Sequence, residues 1–517
     1  MTVKKMSVFI LIAAVLFLGI TGCSDSDTLE NQYKDKSVVV NLQGGDWGYP
    51  TPFSHYSRGP GIYKMTLIFD SLLERGEKGY IPWLAKEWTV SEDGCKYTFI
   101  LRENIKWHDG IDLTAEDVVF SFKYYEKHPP VFNDLTVDGE TFIKSVKAID
   151  THTIEFEVER PVAFLLGKIG NTRIIPKHIW EGVEDPVNFN GPEAVIGSGP
   201  YILTDYSREQ GAYKFEAFKD FWGSGQRVDV IKFIPVSDNI LAFDRGEIDI
   251  TGVSPDVISK YSDENEYTII KNPAFWGYRL IFNMEKRPEL LDVNVRKAFA
   301  HAIDKNELIE KVARNAAVPA SPGYLPIHHI WYNDKVVNYE FDIEKAKDLM
   351  NGRKLSFTLL TGNSNEEVKI AELIKINLER AGIDIIITSV DTKTRDGAIK
   401  NGNYEIVLNG HGGWGGDPDI LRTTFANGRI RGYSNDEINE LSERQLYEMD
   451  AKKRKDIIYK LQEVIGEEVP MLPLYNTTGY CVFRHSKYDG WKYMFDHHEV
   501  THNKLSYLDS WEEGNIP

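Results

Sequence analysis

Residues 37–43 (Ser-Val-Val-Val-Asn-Leu-Gln) form a short apolar, β-branched run bounded by polar residues, which predicts a strand. From residue 62 the period changes. Ile62, Met65, Ile68, Phe69 and Leu72 recur every three or four positions, predicting a helix over 62–75. Residues 88–101 place two β-rich runs around Glu92-Asp93-Gly94, a hairpin signal. Thr114 followed by Ala115-Glu116-Asp117 reads as a helix start, with a capping hydroxyl and acids in the first turn, where the helix dipole favours them. Val118, Phe122 and Tyr125 continue its apolar face. Beyond residue 270 the pattern alternates. Strands are predicted at 278–283, 355–361, 384–390 and 404–408, and helices at 292–303, 343–350, 365–381 and 394–400. Helices at 435–447 and 451–466 follow, then a strand-like run over 472–483. Such alternation gives α/β units on an open sheet, so the predicted fold class is α/β.

The amino terminus stands apart. Lys4 and Lys5 precede an apolar stretch from Met6 to Ile20, too short to span a bilayer and the right length for the core of a signal peptide. It ends in Ile20-Thr21-Gly22-Cys23, which resembles the lipobox of bacterial lipoproteins. The resemblance implies a signal peptide over 1–22, cleavage before Cys23 and a diacylglycerol on the Cys23 sulfur. The polar stretch over 23–36 is then a flexible tether. One acyl chain holds a protein only marginally, so stable attachment calls for two or more. Removing residues 1–22 removes two lysines and no acid, taking the net charge from -18 to -20. That charge argues against nucleic acid and against an anionic membrane surface, leaving the lipid as the membrane contact. With 42% hydrophobic and 12% aromatic residues, the chain is globular and not disordered. The two other cysteines, Cys95 and Cys481, read as separate thiols, and no Cys/His spacing suggests zinc.

Several segments carry a family resemblance. Residues 82–122 run from Pro82-Trp83-Leu84-Ala85 through Trp107-His108-Asp109-Gly110 to Phe122. Ile196-Gly197-Ser198-Gly199-Pro200-Tyr201 follows, then Arg245-Gly246-Glu247-Ile248-Asp249 and the run from Asn294 to Lys305. Tyr404-Glu405-Ile406, the loop Gly413-Trp414-Gly415-Gly416-Asp417-Pro418-Asp419 and Val469-Pro470-Met471-Leu472-Pro473-Leu474-Tyr475 complete the series. In number, order and spacing these are similar to the family 5 extracellular solute-binding proteins, the peptide, dipeptide and nickel group of ABC-importer receptors, over about residues 37–510. The resemblance implies a two-lobed periplasmic-binding-protein type II fold with an extra subdomain (cluster C), closing on ligand by a hinge. Lobe one would take 37–273 and 482–517, with the subdomain over about 73–189, and lobe two 274–481. It further implies a monomeric receptor, without cofactor or catalysis, that passes a small solute to an ABC permease and its ATPase. A peptide is the first expectation. Chelated nickel or another non-peptide solute is the alternative, and a secreted hydrolase a distant one.

The same resemblance nominates ligand contacts. Peptide-binding members place an aspartate after the tryptophan loop, against the ligand's α-ammonium. Asp417 matches that place, and Asp419 competes for it; helix capping is the rival reading of both acids. Trp414, held among glycines, is expected to pack on ligand, with His411 of the same loop facing the cleft. Arg58 could take a ligand carboxylate, since its planar fork suits that task. His55 and Tyr56 belong to the same segment. Trp276 and Tyr278, at the crossover into lobe two, would flank the pocket or pack the hinge. His498-Glu499-Val500-Thr501-His502 matches a zinc-protease pattern, but nothing around it predicts the helix that pattern needs, and no metal is expected there.

Overall fold

The computed structural model describes residues 37–57, 59–76, 79–132, 135–137, 140–412, 416–492 and 500–509. Cys23, Arg58, Trp414 and His498 lie outside the described residues, as do the proposed signal peptide and the tether. The chain divides into a unit ending at Val38 and a unit from Val39 to Pro517, and every described element belongs to the second.

Four principal sheets organise that unit. Val39–Gln43 pairs in parallel with Val230–Ile234, followed outward by Ala212–Ala217 and Tyr201–Ser207 in antiparallel order. A second four-stranded sheet has the order Ala85–Val90, Lys96–Leu101, Thr153–Val158 and Ile143–Ala148. Its first two strands form the hairpin expected around Gly94, which has a φ of 69°, where glycine is favoured. The helix Ala115–Lys127 packs on this sheet. Its start is closed by Asp117, whose carboxylate accepts the Thr114 N–H at 2.8 Å. Phe99, Phe122 and Phe156 meet edge to face in the core beneath.

The six-stranded sheet has the order Ala317–Pro319, Met471–Thr477, Trp276–Phe282, Ile406–His411, Leu355–Gly362 and Ile383–Val390. Leu355–Gly362 and Ile383–Val390 run parallel, joined by the helix Asn365–Glu379. Ser364 caps that helix, accepting the Glu367 N–H at 3.2 Å. Ile370, Ala371, Ile374 and Leu378 turn inward from it, the 3.6-residue stripe read from the sequence. The fourth, three-stranded sheet sets Tyr480–Arg484 between Ile250–Val253 and Tyr267–Lys271. The chain therefore passes from the three-stranded to the six-stranded sheet over 272–275 and returns over 478–479.

Two elements differ from expectation. The predicted helix over 62–75 stops at Thr66, spanning Gly59–Thr66, and Leu73–Gly76 is a strand paired with Gly79–Pro82. The carbonyls of Leu67 and Ile68 bond instead to the N–H groups of Tyr201 and Gly199, so distant partners replace the helical ones. The run 472–483 is two strands in two sheets, broken at 478–479. Val500–His502 forms a single 3-10 turn, not the helix a zinc site would require. Among the described residues Cys95 and Cys481 are not joined by a disulfide, in keeping with the reading as separate thiols.

The carboxyl-terminal segment is held by buried charge. Lys504 Nζ lies 2.8 Å from Asp70 and 2.6 Å from Glu74, and 4.3 Å from the centroid of the Trp83 ring. Asp70 also accepts from Trp83 Nε1 at 2.7 Å, and Glu74 pairs with Arg173. Desolvation alone would raise the Glu74 carboxyl. The charges of Arg173 and Lys504 outweigh it and bring the group down to about 2.

Candidate functional site

The three-stranded sheet, the first four-stranded sheet and the six-stranded sheet meet around a cavity of about 660 Å³. Its walls come from strand ends. Leu42, Gln43, Gly44 and Phe233 belong to the four-stranded sheet, and all four residues of Ile250–Val253 line it, with Tyr480 and Cys481. Trp276 and Thr477, direct partners across the six-stranded sheet, form the opposite wall. Asn272, Pro273 and Gly479, from the two crossings, complete that side. The lining mixes aromatic surface (Trp47, Trp276, Tyr480) with amides (Gln43, Asn239, Asn272), the composition of a site that buries a small solute and orients it. Gly44 is confined to its place by close backbone approach: a Cβ there would meet the Gly211 carbonyl oxygen at 2.6 Å.

Among the described residues one lining side chain is charged. Lys64 is 3% exposed, sits 4.0 Å from the centroid of the Phe233 ring and 5.2 Å from that of Tyr213, and donates to the Pro60 carbonyl at 3.3 Å. Among the described residues no carboxylate lines the cavity.

Of the residues nominated from sequence, Trp276 faces this space. A Cβ on Gly410 or Gly412 would fall 2.6 or 2.7 Å from its indole, so those two glycines leave room for it. Tyr278 packs behind, 5% exposed, its ring 4.8 Å from Trp276 and 5.6 Å from Tyr475. Tyr475 donates to Glu366 at 3.3 Å, and burial raises the Glu366 carboxyl despite hydrogen bonds from Tyr278 and Tyr475. Tyr56 approaches the cavity only through Trp47, at 5.9 Å between rings. His55 turns into a separate cavity of about 380 Å³ and stacks on Phe132 at 5.8 Å. Burial lowers its pKa, partly offset by the hydrogen bond from Nδ1 to the Tyr56 carbonyl. His411 ends its strand opposite Gly277, stacked 6.2 Å from Tyr324.

The two acids expected at the ligand are engaged elsewhere. Asp417 receives both terminal nitrogens of Arg454, at 2.8 and 2.6 Å. Asp419 receives Arg422 at 2.7 and 2.8 Å and Gln445 at 2.7 Å. Gln445 in turn accepts from Arg454 at 2.9 Å, so the pairs form one network. It fastens the loop to the helices Asp436–Tyr447 and Ala451–Glu468. Asp417 also accepts the Asp419 N–H at 2.9 Å, closing a local turn, whereas Asp419 at the helix start makes no capping bond. Neither acid lines the cavity.

Sequence reasoning passed over Lys64, Asn272, Thr477 and Tyr480. Lys64 left a trace, since it falls on the buried face of its helix between Gly61 and Met65. The others sit at strand ends whose convergence depends on topology. Among the described residues no group of histidine, cysteine or acidic side chains is placed to hold a metal ion, and no helix is long and apolar enough to cross a membrane.

Comparison with known proteins agrees with this architecture. The chain is 27% identical to the dipeptide-binding protein of Escherichia coli (strain K12) over 446 residues, 78% of this chain and 82% of that one. It is 26% identical to heme-binding protein A of Haemophilus influenzae over 459 residues, 80% of this chain and 82% of that one. The solved structure of the ABC transporter substrate-binding protein CtaP from Listeria monocytogenes superposes with a TM-score of 0.78 at 26% identity, covering 92% of this chain and 99% of that one. The fold is thus the type II periplasmic-binding-protein fold. Residues 79–432 match the bacterial extracellular solute-binding proteins, family 5, and with the cavity lying where the sheets converge, the chain belongs to that family.

Proposed function

We propose that this protein is the receptor of an ABC importer, that it captures a short peptide in the 660 Å³ cavity, and that it performs no catalysis. The observation that carries the reading is the position of the cavity. It lies where the chain crosses twice between sheets, over 272–275 and 478–479, so two lobes, 37–273 with 482–517 and 274–481, can close about those crossings. Its size suits a small peptide, within the range of about 300–1,000 Å³ typical of ligand sites. The outer strand Ile250–Val253 lines it along its whole length, which favours an extended ligand that bonds through its main chain. Curated relatives are dipeptide-binding and heme-binding proteins, and amides with aromatic walls suit a peptide better than a flat macrocycle. Trp276 is the nominated residue that contacts ligand in this reading, and Trp414 and Arg58 remain proposed contacts.

The mature chain is held on the extracytoplasmic face of the membrane by lipid on Cys23 and hands its solute to a permease driven by an ATPase. Titration calorimetry of residues 24–517 with di- to pentapeptide pools tests the receptor reading. Saturable binding at one site supports it. Silence toward every pool, with saturable binding of Ni²⁺–histidine, would replace peptide by chelated metal and leave the receptor fold in place. Mass spectrometry of the membrane fraction tests the anchor: an unmodified Cys23 would sink it.

A further inference from the structure

The last turn of the helix Asp436–Tyr447 ends inside a neighbouring core. Leu446 is 3% exposed and belongs to the apolar core that contains Phe99, Phe142 and Phe164. Among the described residues it is the buried member of that core drawn from 274–481. A helix leaves its last carbonyls without intrahelical partners. That of Leu446 accepts the Ala163 N–H at 2.9 Å. Beside this plug the Arg160 guanidinium lies 4.0 Å from the centroid of the Tyr447 ring, and that of Arg422 lies 5.9 Å from the centroid of Phe164. Met449 reaches the hairpin turn, its Cε 3.3 Å from where a Cβ on Gly94 would stand.

The two sides of this contact are each tied firmly elsewhere. The subdomain over 73–189 is fastened to the rest of lobe one by buried polar groups: Lys504 to Glu74, Trp83 to Asp70, and His108 Nε2 to the Gly199 carbonyl at 2.9 Å. The helix end is fastened within lobe two, where Gln445 donates to Asp419 at 2.7 Å and accepts from Arg454 at 2.9 Å. The plug is bordered by a cavity of about 670 Å³, with Thr141 and Glu159 on one wall and Asn439 and Glu443 on the other. A small apolar plug beside open space, joining two parts that are each held by buried polar bonds, can release and reseat as a unit. None of Arg160, Ala163, Leu446, Tyr447 and Met449 lines the solute cavity.

We propose that the end of this helix is a latch between the lobes, which favours their closed arrangement with or without solute and so sets solute affinity from outside the solute cavity. The inference rests on the two-lobe reading. A solute that binds closed lobes binds more weakly by the factor by which closure is made rarer. Leu446→Ala removes the apolar volume of the plug, and Arg160→Ala only its exposed rim.

Small-angle scattering reads lobe opening without solute, and calorimetric titration of residues 24–517 with trialanine reads affinity. Both solute-free variants are expected to show a larger radius of gyration than the parent. Trialanine should bind about tenfold more weakly to Leu446→Ala and about threefold more weakly to Arg160→Ala. Arg160 is exposed, so its variant carries the test where Leu446→Ala does not fold. An unchanged radius in the folded variants, or a lower melting temperature with unchanged trialanine affinity, overturns the latch. Where trialanine does not bind the parent, the peptide reading fails and the radius alone decides. A radius that contracts when trialanine is added to the parent, yet is the same in the solute-free variants, sinks the latch and keeps the lobes. A radius constant in every arm sinks the two-lobe reading as well.

Discussion

Asp417→Asn separates two roles that one carboxylate could play. If Asp417 anchored a ligand ammonium, the change would weaken binding and leave the empty protein sound. The structure assigns the reverse. Both carboxylate oxygens are taken by Arg454, whose side chain is 6% exposed against 24% for Asp417. Asparagine keeps one acceptor and loses the charge, leaving the guanidinium with Gln445 as its remaining side-chain partner. Breaking a fully buried pair costs about 3–5 kcal/mol, and partial exposure here brings the expectation to about 2–3 kcal/mol. An unfolding entropy of about 2.1 cal/mol/K per residue, over roughly 480 residues, converts this to a melting temperature lower by about 2–3 °C. Scanning calorimetry reads that shift, and peptide titration of the same sample should give an unchanged affinity. A tenfold or greater loss of affinity with an unchanged melting temperature would refute the reasoning and restore Asp417 to the ligand. Asp417→Asn combined with Arg454→Met should cost less than the sum of the single changes, because each alone strands a charged partner.

Further outcomes follow from other contacts. Glu74 is depressed in the folded state from 4.5 to about 2. It therefore contributes about 3 kcal/mol that is fully present above pH 4.5 and is lost as pH falls toward 2. Urea unfolding of Glu74→Gln should show a shallower fall in stability across that window; an identical slope would contradict the assignment. Lys504→Met leaves the fully buried Asp70 carboxylate without its cation and should cost about 3–5 kcal/mol, read as a lower urea midpoint with unchanged m. Gly410→Ala drives a methyl to within 2.6 Å of the Trp276 indole, so the ring must move. Peptide affinity should fall by about tenfold with a shifted tryptophan emission; unaltered emission and affinity would remove Trp276 from the cavity wall.

Much of the architecture could be read ahead of the structure because local signals and tertiary packing agree there. The helix Val293–Ala302 carries its own cap, Asp292 to the Asn294 N–H at 2.9 Å, beside a clear apolar stripe. Asp304 and Ser364 cap the helices that follow them in the same way. The reading failed at Leu73–Gly76, where apolar spacing suited a helix while Gly199 and Tyr201, over a hundred residues away, claimed the carbonyls that would have continued it. It failed differently at the acidic loop. An aspartate among glycines is visible in a sequence, but the arginine that meets it is 37 positions further on, in another helix. The cavity was legible only through Trp276, since Asn272, Thr477 and Tyr480 acquire meaning from sheet order.

The double crossing bears on how the molecule assembles. Asn272 and Cys481 touch across 209 residues, Nδ2 to Sγ at 3.6 Å. Closing so long a segment as a floppy loop would cost about 5 kcal/mol of chain entropy. Trp276 and Thr477 are themselves paired in the six-stranded sheet, so that cost is met once for both contacts. Once that sheet has formed, its two ends emerge side by side, and Tyr480–Arg484 has only to zip against a neighbour already at hand. The three-stranded sheet that borders the solute cavity is thereby closed by two chain segments that the six-stranded sheet already holds side by side.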